Sequence, residues 1–295
     1  MFNQKRVLIT GINGFTGQYV ADELQRVGYD VYGIGTVESD LPRYFQVDLL
    51  DKIGLASVVR EVQPTVVVHL SAITFVGHGE ANDFYQVNVI GTLNLLESLS
   101  LNVKCLEAVL LASSANIYGN STEGVLTENS PPDPANDYAV SKLAMEYMGK
   151  LWLDKLPLFF VRPFNYTGIG QSEDFLLPKI VAHFKRKEPF IELGNLDVWR
   201  DISDVRVVAE VYRRLIEVNP LGQVVNICSG DAHSIREIIE LSEKISGHKM
   251  EVRLNSSLVR ANEVKSLCGD VKRLHSLIGE TKSHSLEDTL RWMLA

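Results

Sequence analysis

The sequence predicts an α/β fold: a Rossmann-like, doubly wound parallel sheet with a smaller C-terminal α/β domain for substrate. Three observations predict it. Over the first two-thirds of the chain, short aliphatic runs alternate with amphipathic stretches of ten or more residues. That is the pattern of strands buried on both faces and joined by helices. A glycine-rich turn follows the first apolar run, and beyond residue 163 the rhythm gives way to segments punctuated by Pro and Gly.

Taken in order, strands are expected at 6–10, 30–34, 65–70, 107–112 and 158–161, with helices at 14–27, 52–62, 83–99 and 138–155. Right-handed crossovers then put helices on both faces of one sheet. The expected division is a cofactor domain over residues 1–163, to which about 196–228 returns, and a substrate domain built from 164–195 and 229–295. No internal repeat or low-complexity tract interrupts this plan.

The 295 residues are 45% hydrophobic and 22% charged, which excludes wholesale disorder. A net charge of −8 argues against a general nucleic-acid binder, since phosphate affinity comes mainly from Lys and Arg. No run reaches the ~18 consecutive apolar residues of a membrane span. The first residues lead straight into the first strand and leave no room for a signal peptide, so a cytoplasmic protein is expected. Cys105, Cys228 and Cys268 are too widely spaced for a disulfide framework or a zinc cluster, and the histidines show no ligand spacing. No metal is expected, and Lys185-Arg186-Lys187 reads as a solvated helix end.

The turn after the first strand reads Gly11-Ile12-Asn13-Gly14-Phe15-Thr16-Gly17 and opens a helix. Glycines there allow unusual backbone angles and close approach of the main chain to a pyrophosphate. The helix N-terminus offers free N–H groups to the anion. A carboxylate about 20 positions on would bind the adenosine ribose and select NAD. The second strand instead runs out at Ile34-Gly35-Thr36, with Glu38 beyond it and Arg43 the nearest Arg. Missing that carboxylate, the site favours NADP(H) over NAD(H).

Tyr138 and Lys142 stand four residues apart, on one face of a helix. A free phenol titrates near 10, so a neighbouring ammonium is expected to lower Tyr138 toward useful acid–base chemistry. Ser113-Ser114 closes a strand at the sheet edge where ligands bind, and the Ser114 hydroxyl can hydrogen-bond the substrate oxygen that Tyr138 protonates.

With Gly11/Gly14/Gly17, Val47-Asp48-Leu49, His69-Leu70-Ser71-Ala72, Asn88-Val89-Ile90-Gly91-Thr92, Ser113-Ser114 and Tyr138…Lys142 in this order, the chain resembles the extended short-chain dehydrogenase/reductase family over essentially its whole length. The resemblance implies that Gly11, Gly14, Phe15, Thr16 and Gly17 hold the dinucleotide, with Asp48 and Leu49 by the adenine. Leu70, Ser71 and Ala72 would run along the cofactor, and Asn88, Tyr138 and Lys142 would complete its site. Ser114, Tyr138 and Lys142 would be the catalytic set. The family also implies a homodimer through the helices at 83–99 and 138–155.

Family members act on nucleotide-linked sugars as reductases, epimerases or dehydratases. The 4,6-dehydratases resemble Ser-Thr-Asp-Glu-x-Tyr-Gly at the strand end, where two carboxylates serve elimination. Here the string is Ser113-Ser114-Ala115-Asn116-Ile117-Tyr118-Gly119, with neither carboxylate. It is similar to that of 4-epimerases holding NAD. The strings around Arg162–Gln171, 194–201 and 226–230 instead resemble GDP-4-keto-6-deoxy-mannose reductases. That likeness implies reduction of a GDP-linked 4-keto-6-deoxy sugar to the rhamnose or talose form, and nominates Asn165, Arg200, Arg260 and Glu263, with Ser114, for substrate. Arg200 also has Asp201 and Asp204 as ready salt-bridge partners. A module that binds the dinucleotide without chemistry would have a damaged Ser/Tyr/Lys set, which is intact here.

Overall fold

The computed structural model describes residues 5–74, 80–119, 124–258, 265–281 and 284–295. The first half runs β1 (Arg6–Thr10), α1 (Phe15–Arg26), β2 (Asp30–Gly35), β3 (Tyr44–Gln46), α2 (Lys52–Val62), β4 (Val66–His69), α3 (Ala81–Tyr85), α4 (Thr92–Asn102), β5 (Ala108–Ala112), β6 (Val125–Leu126), α5 (Asp137–Lys150) and β7 (Leu158–Pro163). The second half runs β8 (Asn165–Thr167), α6 (Leu176–Arg186), β9 (Phe190–Leu193), β10 (Trp199–Asp204), α7 (Val205–Val218), β11 (Val224–Ile227), β12 (Ala232–Ser234), α8 (Ile235–Ser246), β13 (Glu251–Leu254), β14 (Ser266–Gly269), α9 (Lys272–Ile278) and α10 (Leu286–Leu294).

Seven strands form one sheet in the order β11-β7-β5-β4-β1-β2-β3, every pair parallel. This is the Rossmann-like doubly wound sheet expected from the sequence, and all five expected strands lie in it. Strand order reverses between β1 and β4, the crevice where such sheets bind ligands at their C-terminal edge. Alternation along each strand feeds two cores. Val7, Ile9, Val66, Val68, Leu110 and Phe159 pack under α1 and α7, whereas Leu8, Val67, Val109 and Phe160 pack under α2, α4 and α5.

A second sheet takes the order β12-β10-β14-β6, with β8 also paired to β10, and β13 pairs with β9. Leu177, Ile180, Ile191, Ile238 and Leu290 centre a third core among α6, α8 and α10. The chain crosses between these layers repeatedly. β10 belongs to the second sheet, α7 and β11 belong to the first, and Leu274 and Ile278 of α9 pack into the first core beside α7.

Two expected helices differ in detail. The stretch read as one helix over 83–99 is α3, a π-helical segment Gln86–Gly91 and α4. The wider π turn is a local departure characteristic of functional segments, and it carries Asn88. The helix expected to reach residue 155 ends at Lys150, and tighter turns follow, Leu151 N–H to Met148 carbonyl and Trp152 N–H to Gly149 carbonyl. Among the described residues no helix is long and apolar enough to cross a membrane, and no group of His, Cys, Asp and Glu is arranged to hold a metal.

Candidate active site

The glycine turn lies at the C-terminal end of β1. Gly11 has φ +72°, and a Cβ there would stand 3.0 Å from the Ser71 backbone nitrogen. A Cβ on Gly17 would stand 2.3 Å from the Gly11 carbonyl oxygen, so only glycine lets α1 start so close to β1. Gly14 caps α1 in an extended conformation, with no side chain bonded to the first-turn N–H groups. A cradle cleared of side chains, facing an uncapped helix N-terminus at the switch point, fits the pyrophosphate of a dinucleotide.

Leu70, Ser71 and Ala72 follow β4 directly beside this turn. The Thr10 hydroxyl accepts from the N–H groups of Leu70 (3.1 Å) and Ser71 (3.0 Å), and so fixes their path along the crevice. It also meets His69 Nδ1 at 2.7 Å, while His69 Nε2 meets Thr92 Oγ1 at 2.8 Å. Thr92 donates its own proton to the Asn88 carbonyl. The Nε2–H of His69 therefore donates to Thr92, and Thr10 donates to Nδ1. Burial lowers the His69 pKa to about 3, which keeps the ring neutral as this relay needs.

Asn88 extends the relay to the helix bearing the tyrosine. Its Oδ1 accepts from the Ile73 N–H (3.0 Å), and its Nδ2 donates to the Ile73 carbonyl and to Ser141 Oγ. Ser141 in turn donates to the Tyr138 carbonyl at 2.8 Å. Thr10, Thr92 and Ser141 carry no individual signal in the sequence, and His69, at the end of a buried strand, reads there only as packing. The strings containing His69 and Thr92 do carry one, but burial was needed to show that they form one network.

α5 begins where it does because Asn136 caps it, its side chain accepting from the Ala139 N–H at 2.9 Å, with Asp137 in the first turn. Tyr138 thus enters the site in the first turn, with its ring edge against Phe84. The Ser114 hydroxyl lies beside the Tyr138 phenol, whose pKa it lowers, and accepts from the Asn116 N–H at 3.1 Å. Lys142 donates to the Ala112 carbonyl at 2.8 Å. All three side chains are buried, and the Ser113 hydroxyl beside them has no partner among the described residues.

The electrostatics correct one expectation. Burial pushes the Tyr138 phenol up to about 12, against a smaller lowering by Ser114, and Lys142 is not among the groups that shift it. Removing the phenolate from water is the dominant effect, so Tyr138 is a protonated phenol at neutral pH. Lys142 is itself lowered to about 8 by burial, with Glu146 holding it up.

The residues nominated for ligands are spread along the same edge and beyond it. Leu49 is buried, and its carbonyl accepts from Asn94 Nδ2 at 2.9 Å, whereas Asp48 is exposed and accepts from the Leu50 N–H. Asn165 is exposed at the start of β8, in register with Ile202 of β10. Arg200 is half-buried and donates to the Trp199 carbonyl at 2.8 Å. The two carboxylates beside it are engaged elsewhere: Asp201 accepts from Ser229, Gly230 and Gly269, and Asp204 from Arg206 and Thr289. Arg260 and Glu263 lie outside the described residues. Arg43, the Arg nearest the end of β2, is paired with Asp30.

A parallel sheet with this glycine cradle, and a Ser, Tyr and Lys gathered at its C-terminal edge, define a Rossmann-type protein of the extended short-chain dehydrogenase/reductase class. The chain belongs to the family described as GDP-mannose 4,6 dehydratase, which matches residues 8–293. Among curated relatives it is 37% identical to a GDP-6-deoxy-D-talose 4-dehydrogenase from Aggregatibacter actinomycetemcomitans, over 93% of this chain and 91% of that one. It is 32% identical to a GDP-6-deoxy-D-mannose reductase from Pseudomonas aeruginosa, over 99% and 96%. A solved structure from Burkholderia cenocepacia J2315, assigned provisionally as an epimerase, superposes with a TM-score of 0.93 at 49% identity, covering 98% and 97%. The structure of RMD from Pseudomonas aeruginosa complexed with NADPH gives 0.87 at 30%, covering 99% and 96%.

Proposed function

We propose that this protein reduces the 4-keto group of a nucleotide-linked 4-keto-6-deoxy sugar, namely GDP-4-keto-6-deoxy-D-mannose, to GDP-D-rhamnose or its talose epimer. The observation that carries the proposal is the Ser114–Tyr138–Lys142 set beside a strand end that lacks a carboxylate pair. Family membership leaves the reaction open. The strand end Ser113-Ser114-Ala115-Asn116 offers no acid and base for eliminating water, so dehydration is not the reaction inferred. The two curated relatives, named for redox chemistry on GDP-linked 6-deoxyhexoses, support the reductive reading.

When bound, a reduced nicotinamide supplies the hydride that attacks C4. Tyr138, protonated because its pKa is near 12, gives its O–H proton to the sugar O4 as the carbonyl opens. The Ser114 hydroxyl, beside that phenol, hydrogen-bonds the same oxygen. Lys142 holds a positive charge on the same helix face below about pH 8, where it would position the cofactor ribose. Gly11, Gly14, Phe15, Thr16 and Gly17 would hold the pyrophosphate, with Asp48, Leu49, Leu70, Ser71, Ala72 and Asn88 along the rest of the dinucleotide. Asn165, Arg200, Arg260 and Glu263 are assigned to the nucleotide sugar.

NADP(H) is the cofactor inferred, since β2 ends without a ribose-binding carboxylate and the Pseudomonas neighbour was solved with NADPH. Arg43, tied to Asp30, does not supply a clamp for the 2′-phosphate. We assign residues 1–163, with about 196–228, to the cofactor domain and 164–195 with 229–295 to the substrate domain, except that β6 and β10 lie in the second sheet and α9 packs on the first core. A cytoplasmic homodimer is inferred too, supported by exposed Leu101, Tyr147 and Leu151 at α4 and α5.

A second reading, 4-epimerisation with retained NAD, is favoured by the Burkholderia likeness. Incubation with NADPH and GDP-4-keto-6-deoxy-D-mannose separates the two. Loss of nicotinamide absorbance matched by formation of a GDP-6-deoxyhexose supports the reductase. Interconversion of 4-hydroxy epimers with no net consumption of cofactor would establish the epimerase.

A further inference from the structure

Tyr166 lies on β8 next to Asn165, yet its side chain faces the cofactor turn. Its hydroxyl meets Thr16 Oγ1 at 2.8 Å, and its ring stacks on Phe15 with centroids 6.1 Å apart and planes 11° apart. A second tie runs beside it, the Tyr19 hydroxyl donating to the Ile169 carbonyl at 2.8 Å. The segment between is wedged from behind, since a Cβ on Gly168 would stand 2.5 Å from Val205 Cγ1 and 3.1 Å from Trp292. The first turns of α1 and the strand carrying Asn165 are therefore fastened at two points.

We propose that Tyr166 is a positioning residue that couples the two ligand sites, so that a dinucleotide on the glycine turn raises affinity for the nucleotide diphosphate of the sugar substrate. This rests on the function proposed above. Thr16 is the second residue of α1, in the turn whose N–H groups face the anion, and in the Thr16–Tyr166 bond either hydroxyl can donate. Thr16 would donate its proton to a bound pyrophosphate, which would leave Thr16 to accept from Tyr166. Hydrogen bonds in such a chain polarise and strengthen one another. The strengthened bond holds β8, and with it Asn165, in one place before the sugar nucleotide arrives, so less ordering remains to oppose binding. Linkage makes the effect reciprocal.

Isothermal titration of GDP, with and without saturating NADP+, measures the coupling without turnover. In the unmodified protein NADP+ should tighten GDP by about five-fold or more, the lower end of ordinary coupling between sites. Tyr166→Phe and Thr16→Val each remove one hydroxyl and little else. Tyr166→Phe should bring the factor close to one while either ligand alone binds within about two-fold of its original affinity. Thr16→Val should also bring the factor close to one but bind NADP+ alone more weakly, having lost a pyrophosphate contact, and in the double variant the coupling should fall no further. If both variants keep the original factor, or if the unmodified protein binds both ligands independently, the coupling role is refuted. If the unmodified protein binds neither GDP nor NADP+, the proposed function fails and this role with it.

Discussion

Glu146 grips Arg162 through two hydrogen bonds, Nε to Oε1 at 2.9 Å and Nη2 to Oε2 at 2.7 Å, and both side chains are buried. Glu146 follows Lys142 by one turn of α5, and Arg162 is the last residue but one of β7. Arg162 also donates to the Tyr118 hydroxyl, which donates to Asn226 Oδ1 of β11. The face of α5 that carries Tyr138 and Lys142 is thus bolted to the sheet. Breaking one partner of a buried pair strands the other charge, at a cost of about 3–5 kcal/mol. Glu146→Gln should lower unfolding stability by that order in urea titration, while Glu146→Met with Arg162→Met should recover much of it. A double variant as unstable as the single one would show that the pair is not the source.

The same carboxylate supports the charge on Lys142. Reduction should hold up to pH about 8 and fall above it as the ammonium is lost. Glu146→Gln removes the negative charge that raises Lys142, so the alkaline limb of kcat/KM should move to lower pH. A limb that stays in place in that variant would contradict the link. Stability carries the opposite sign. Lys142 is depressed from 10.5 to about 8, so between those values the unfolded chain binds the extra proton, and this group's contribution to stability rises with pH across that window.

Tyr138→Phe should reduce kcat by about 10²–10⁴-fold, the usual worth of a positioned acid. Cofactor affinity, measured by fluorescence titration of NADPH, should stay near that of the unmodified protein. Turnover preserved in this variant would remove Tyr138 from the role of proton donor.

Gly119 follows the short turn after Ser114 with φ +54°, and a Cβ there would lie 1.6 Å from the Asp133 carbonyl oxygen. Backbone cannot yield as a flexible side chain can, so Gly119→Ala should displace the loop under the active site. We expect a lower Tm together with loss of turnover. By contrast Gly124→Ala, where a Cβ meets nothing within 4 Å, carries only the backbone cost of its positive φ.

Much of this was legible in the chain because local signals agreed. Strands 6–10 and 30–34 matched β1 and β2 to within a residue, since their aliphatic runs are bounded by turn residues. The glycine turn and the Tyr138/Lys142 spacing were readable for the same reason: each is a short-range constraint. The π turn at Gln86–Gly91 was not, because its cause is tertiary, Asn88 bonding to Ile73 and Ser141. Nor was the protonated state of Tyr138, because burial, invisible in a helix spacing, is the dominant effect. Glu146 had a signal that went unused, falling four residues after Lys142 and eight after Tyr138 on one helix face.

Transfer of label from the cofactor tests the central claim most directly. In a single turnover with [4-²H]NADPH of the transferring face and GDP-4-keto-6-deoxy-D-mannose, the account predicts one deuterium at C4 of the product sugar, with one NADPH oxidised per sugar formed. A product without deuterium at C4, or a sugar converted with no NADPH oxidised, would contradict it.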